Sequence, residues 1–262
     1  MLFKREIKRN LKGFLVTALI SSIMAGYMVS MSPSFGKDIQ QLLDLKFPKE
    51  MQLAFGMQGL DYSRANSFFA MCFSYLYLFI SIYVSTLFAI IVSKEFSEKS
   101  AEFLFSLPSK RLSIILTKLA VSAFYTILAI IVVFLASWLS FIVNIKENYT
   151  MKPVMLMAVA WLIGGITFGS IGFLLSSIFT KTRTIASISV GLVMAMYLLQ
   201  VVISVNQDLA FLKYFSPFDW FKGPEIDSTG QLPVKYCILA FVVSAICFAT
   251  GIRRFKKMDV LI

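Results

Sequence analysis

Residues 119–143 read LAVSAFYTILAIIVVFLASWLSFIV, 25 positions without an Asp, Glu, Lys or Arg. About 20 predominantly apolar residues in a helix cross the roughly 30 Å of bilayer hydrocarbon. Working outward, five further runs have the same character: 13–31, 67–92, 154–179, 184–205 and 234–252. Lys235, at the margin of the last, is the only charged residue in any of them. A spanning backbone must satisfy its own polar groups, and the short alternating strands of a barrel are missing. The expected fold is an all-α integral membrane protein, one domain over 1–262, with six transmembrane helices.

The chain of 262 residues carries a formal charge of +11. In a soluble domain such an excess suggests nucleic acid, but its placement here points elsewhere. Sixteen basic residues fall on the side holding both termini, residues 93–118 and residues 181–183, and nine fall on the other. The matching acidic counts are five and nine, so the first side is net +11 and the second neutral. The positive-inside bias puts both termini in the cytoplasm. Anionic lipid accounts for the charge, and no nucleic-acid partner is expected.

At the start, Phe3, Ile7 and Leu11 recur at spacing four beside the stripe Lys4, Lys8 and Lys12. This fits a short interfacial helix over 1–12 that turns inward at the first span, or a basic flank that only sets orientation. The apolar run that follows is long for a signal peptide, and no small-x-small cleavage pattern precedes Pro33. Cys72, Cys237 and Cys247 lie in or beside spans without a CxxC pair and read as small hydrophobes. With no histidine in the chain, the commonest metal ligand and proton shuttle is missing, and no metal site is expected. Asn148-Tyr149-Thr150 is a glycosylation sequon too short to weigh.

The only sizeable connection on the basic side is 93–118. Glu95, Glu98 and Glu102 share one helical face, and Ala101, Leu104 and Phe105 supply an apolar face needing cover. Pro108 ends that helix, and Ser109 can cap a second one leading into the third span. This helix–break–helix reads either as an interfacial hairpin or as a docking element.

The run Glu98-Lys99-Ser100-Ala101-Glu102-Phe103-Leu104-Phe105-Ser106-Leu107-Pro108-Ser109-Lys110-Arg111, followed by Ile115 and Lys118, resembles the signature of ABC-2 type transporter permeases. That signature has Gly-Thr where Ser100-Ala101 stands here, and often Leu where Phe105 stands. Ser216-Pro217-Phe218 resembles a second short motif before the last span. The resemblance implies the permease subunit of an ATP-driven ABC exporter, moving an amphipathic, peptide- or lipid-like substrate out of the cytoplasm. It further implies two cytoplasmic ABC ATPase subunits, a second permease copy or paralogue, and a pathway lined by spans one, two and five. By motif position the ATPase-coupling residues are Glu95, Glu98, Lys99, Glu102 and Arg111. No phosphate-cradling Gly-x4-Gly-Lys-Ser/Thr loop is present, so ATP and Mg are expected on the partner, and this chain is expected to be no enzyme and to hold no cofactor. The expected location is a plasma membrane, of bacterial type. A non-transport assembly or immunity protein on the same scaffold, and a secondary carrier, are the alternatives; the lack of midspan charge counts against the carrier.

Within the spans, Ser67, Ser74, Ser81 and Ser85 repeat along the second, suited to helix packing or to lining a pathway. Gly165-x3-Gly169 in the fourth suits a tight helix contact. Gln200 and Tyr197 share a face of the fifth, and a lone amide in lipid needs a partner or water. Ser74, Ser81, Tyr197 and Gln200 are the pathway candidates. The aromatic density of 206–233 suggests short re-entrant helices, or an aromatic belt, with Phe215, Phe218 and Trp220 as outer-gate candidates.

Overall fold

The computed structural model describes residues 2–44, 48–54, 57, 60–62, 64–97, 111–145, 149–179 and 181–257. Among these the secondary structure is helical: α1 Leu2–Asp44, α2 Lys49–Ala54, α3 Ala65–Ser97, α4 Arg111–Asn144, α5 Met151–Ser176 and α6 Thr182–Val205. A 3-10 helix Gln207–Phe215 follows, then α7 Pro217–Trp220, α8 Gly223–Thr229 and α9 Val234–Lys257. Six of these, α1, α3, α4, α5, α6 and α9, are long and apolar enough to cross a membrane, so the expected span count holds. At 1.5 Å per residue even the shortest covers the hydrocarbon. Six crossings return both termini to one face of the bundle, called here the terminal end.

The bundle is built around α3 and α5. Most of their apolar stretches are buried, whereas only a minority of those of α1, α4, α6 and α9 are. Small residues on α5 permit the central contact. A Cβ on Gly172 would collide with the backbone carbonyl of Ser85, and one on Gly169 would lie 2.8 Å from the ring of Phe88. Gly164 leaves room for the Tyr77 hydroxyl, while Gly165 is in ordinary contact only. The tight face is therefore Gly164–Gly169–Gly172, one position away from the expected pairing at its first member. Phe73 stacks on Trp161 at 5.5 Å, and Phe69 meets the same indole edge-on.

On the outer helices Leu15, Leu19, Ile23, Leu135, Leu139, Phe241 and Ile246 stand exposed. An aqueous monomer rarely displays so much contiguous apolar surface; bilayer hydrocarbon is the solvent that fits it.

Two features of α1 depart from expectation. No turn separates residues 1–12 from the span: one helix runs from Leu2 to Asp44. Gly13 alone does not break it, because a helical glycine costs only about 1 kcal/mol, and contacts with α4 hold the first turns in line. Nor does Pro33 end it. Proline removes the hydrogen bond to the carbonyl four residues back, here that of Val29, and the Ser32 hydroxyl donates to this same oxygen at 2.8 Å. The freed acceptor is satisfied, and the helix continues past the proline.

Candidate functional site

At the terminal end the organising group is Glu6, which is fully buried. Its Oε2 accepts from Arg9 Nη2 at 3.0 Å, and its Oε1 accepts from Lys118 Nζ at 3.0 Å. Lys118, 1% exposed, also donates to the carbonyl of Ile91 at 3.0 Å. One carboxylate thus joins α1 to α4, and through Lys118 to α3. Nearby the Tyr125 hydroxyl donates to the Ile7 carbonyl at 2.6 Å, and the Phe14 and Tyr125 rings lie 5.1 Å apart. Residues 98–110 leave α3 and rejoin at α4, so both anchors of that connection are tied to the first helix. A buried pair of this kind contributes little net stability, but removing one partner strands the other charge at a cost of about 3–5 kcal/mol.

The coupling candidates adjoin this clamp in sequence. Glu95 lies in the last turn of α3 and Arg111 opens α4, with their side chains outside the described residues. Glu98, Lys99 and Glu102, and Asn148 of the sequon, lie outside the described residues altogether.

The opposite end is organised by an aromatic ring. Ser216 donates its hydroxyl to the Met196 carbonyl of α6 at 2.9 Å, and Pro217 begins α7, where its missing N–H is no loss. The Pro217 carbonyl accepts from the Tyr77 hydroxyl at 3.3 Å. Phe218 then inserts among Tyr77, Phe168 and Tyr197 at centroid distances of 4.8, 4.8 and 5.6 Å, rings from α3, α5 and α6. Each word of Ser-Pro-Phe has its own contact. Trp220 is buried as well, its indole donating to the Lys213 carbonyl at 3.0 Å. Farther on, Gly223 sits so close to α3 that a Cβ would strike the Ala70 carbonyl, and the Ser67 hydroxyl donates to Asp227 at 3.0 Å.

The outer-gate candidates therefore separate. Phe218 and Trp220 are internal, whereas Phe215 is 68% exposed and does not join them. The reason is local: the 3-10 turn ends at Phe215, and the chain changes direction at extended Ser216, so residues three apart point opposite ways. Asp219, beside Phe218, is 3% exposed and pairs with Lys222 at 2.8 Å. Burial pushes its pKa above the usual carboxylate value, against the opposing pull of Lys222.

Of the pathway candidates, Ser74, Tyr197 and Gln200 come together in one cavity with Tyr75, Ser204 and Lys222. Gln200 Oε1 is buried there without a hydrogen-bond partner among the described residues. The cavity holds about 60 Å³, room for a few waters at the 10–15 Å³ each requires, and too small for an organic solute. Ser81 does not join them. It is fully buried inside the bundle. Ser85, by contrast, pairs with Ser189 of α6 at 2.7 Å, a packing role. A second cavity, about 390 Å³, opens at the terminal half between α1, α3 and α6.

The clamp is what sequence reading missed. Glu6 is the only acidic residue before Asp38, and one acid in a basic flank was a usable signal that something holds it. Its partner lies 112 positions away, beyond any local pattern.

No curated protein matches the sequence. The model of one family, described as ABC-2 family transporter protein, matches residues 3–260. With six apolar helices and nearly the whole length accounted for, the chain is a multi-pass membrane protein, the membrane subunit of an ABC transporter rather than its ATPase, and it belongs to the ABC-2 transporter family.

Proposed function

We propose that this subunit exports an amphipathic, peptide- or lipid-like substrate from the cytoplasm, driven by two ATPase subunits that dock on residues 93–118. The observation that carries the reading is the Glu6 clamp. Both anchors of the docking connection are tied to α1 through Lys118 and the Ile91 carbonyl. Displacement of that connection is thereby passed to the first helix and, through the bundle, to α3 and α6. Charge asymmetry sets the terminal end in the cytoplasm, the side where an ATPase works. A second permease copy or paralogue completes the pathway, facing α1 and α6, of which only a minority is buried within this chain.

The test is a double charge reversal, Glu98→Lys with Glu102→Lys, in the full chain co-expressed with its ATPase. Docking through these carboxylates predicts loss of about 1–3 kcal/mol of contact energy, read as reduced co-purification and as hydrolysis no longer coupled to transport. Unchanged co-purification together with unchanged coupled hydrolysis overturns the docking assignment.

A further inference from the structure

The exposed face of α9 has the length of one bilayer crossing. Lys235 and Arg253 are 18 residues apart, and both are exposed. That spacing is five helical turns and about 27 Å at 1.5 Å per residue, so the two stand on the same side of the helix. Between them this side presents Ile238, Val242, Ala245, Ile246 and Ala249, all exposed, and no charge. The hydrocarbon of a bilayer is about 30 Å thick. A cation at each end of an apolar stripe of this length belongs at each headgroup level, Arg253 at the terminal end and Lys235 at the opposite one.

At the Lys235 level a second element joins α9. Lys235 Nζ donates to the Tyr214 hydroxyl of the 3-10 helix at 2.7 Å, and lies 4.8 Å from the centre of that ring and 5.8 Å from that of Tyr236. Both partners are neutral. Among the described residues no carboxylate pairs with Lys235, so its charge is uncompensated, and its ammonium keeps N–H groups for a further acceptor. The Tyr214 hydroxyl accepts from Lys235 and retains its own proton to donate. Phe211 precedes Tyr214 by three residues, the spacing that eclipses side chains in a 3-10 helix, and it is exposed. An ammonium and a phenol O–H thus stand side by side at the head of an exposed apolar track. From Lys235 to Ile246 that track runs about 16 Å, the depth of one leaflet of hydrocarbon.

We propose that Lys235 and Tyr214 bind the phosphate of a lipid in the leaflet opposite the termini, with an acyl chain along Ile238, Val242 and Ile246. A lipid of net negative charge is preferred over a zwitterionic one, whose own ammonium offsets its phosphate. Such binding needs neither cargo nor ATPase and is independent of the exporter reading.

The experiment is photocrosslinking of the full-length chain in phosphatidylcholine nanodiscs doped with phosphatidylglycerol that carries a diazirine near its glycerol backbone, read by peptide mass spectrometry. Labelling is expected on the 3-10 helix and the first two turns of α9. Unlabelled phosphatidylglycerol should suppress it severalfold more effectively than added phosphatidylcholine, and glycerol phosphate, a headgroup without chains, should not suppress it. Lys235→Gln should reduce this labelling about fivefold, the size expected of one cation at a lipid surface. Lys235→Arg should retain it, and Tyr214→Phe should reduce it about twofold, the loss of one hydroxyl donor among several contacts. Arg253→Gln, at the other headgroup level, should leave it unchanged. Melting of the variants identifies any that fail to fold; were Lys235→Gln among them, Tyr214→Phe and the lipid competition on the wild type decide. Equal suppression by the two lipids, or undiminished labelling of folded Lys235→Gln, overturns the proposal. So does labelling absent from this face, the result expected if a second copy of the chain covers it. Either result leaves the ATPase docking assignment standing, and failure of co-purification leaves the lipid site standing.

Discussion

At the terminal end three helices meet on the carboxylate of Glu6, and at the opposite end three helices meet on the ring of Phe218. The two junctions are comparable in reach and opposed in chemistry. An ion pair buried in a bundle is demanding, because separating it leaves charge unpaired in surroundings that do not solvate it. Aromatic packing strands no charge, and ring pairs are favourable over a range of centroid distances and angles. The demanding contact therefore stands where the connection between α3 and α4 joins the bundle, and the tolerant one where the bundle is closed by short helices. The two cavities differ in size as well: about 390 Å³ at the terminal half, and room for a few waters at the opposite end.

The contrast breaks most easily at Glu6. Glu6→Leu alone should destabilise the chain by about 3 kcal/mol by removing the buried carboxylate that Lys118 and Arg9 share, whereas Glu6→Leu with Lys118→Met should recover much of that loss. Unfolding in a mild detergent measures both. A double variant as unstable as the single one would mean that packing, not charge, holds this end.

Phe218→Ala comes next, with an expected loss of about 3 kcal/mol from the cavity left among Tyr77, Phe168 and Tyr197. Phe218→Leu should recover much of that loss, as befits a tolerant contact. If leucine were as costly as alanine, the aromatic end would be the more demanding of the two, and the comparison would be inverted.

Gln200→Leu should change stability by less than about 1 kcal/mol, in line with the modest polar bonds measured within membranes, since Gln200 Oε1 has no hydrogen-bond partner among the described residues. Cargo-stimulated ATPase rates of the assembled transporter, set beside the melting temperature, separate a water-pocket role from a pathway role. An altered cargo response at unchanged stability would extend the pathway to the end opposite the termini.

The smallest effect is a pH dependence confined to the end opposite the termini. Burial raises the Asp219 pKa, so the folded chain binds this proton more tightly than the unfolded chain does. Stability then rises as pH falls through the raised folded value toward the ordinary carboxylate value near 3.8, and does not vary with pH through this group above the folded value. The thermal midpoint of the wild type, compared with Asp219→Asn across that window, should show an acid-side gain that the variant lacks.

How far the sequence could be read depended on the range of the interactions. Hydropathy is local, and the six spans were legible from it. The length of α1 was not, because a proline ordinarily ends a span and its repair is one hydroxyl–carbonyl bond, Ser32 to Val29. Gln200 was legible as a cavity residue because an amide in an apolar run must be accounted for. Ser81 looked equivalent to Ser74, yet seven positions along a helix brought one to the cavity and the other into the interior. Phe215 and Phe218 could not be told apart by composition, since the change from 3-10 turn to extended backbone at Ser216 decides which faces inward. Glu6 and Lys118 each looked like a flanking charge until the fold brought them together.

The seat of Phe218 also fixes an order of events during synthesis. Tyr77, Phe168, Tyr197 and the Met196 carbonyl all precede residue 218 in the chain, so the receiving surface can be complete before Ser-Pro-Phe leaves the ribosome, and chains assemble from the N-terminal side as they emerge. The segment that follows arrives at a finished socket, and α9 is delivered to its place against α5, where Phe255 reaches Phe173, by a tether already made fast at the far side of the membrane.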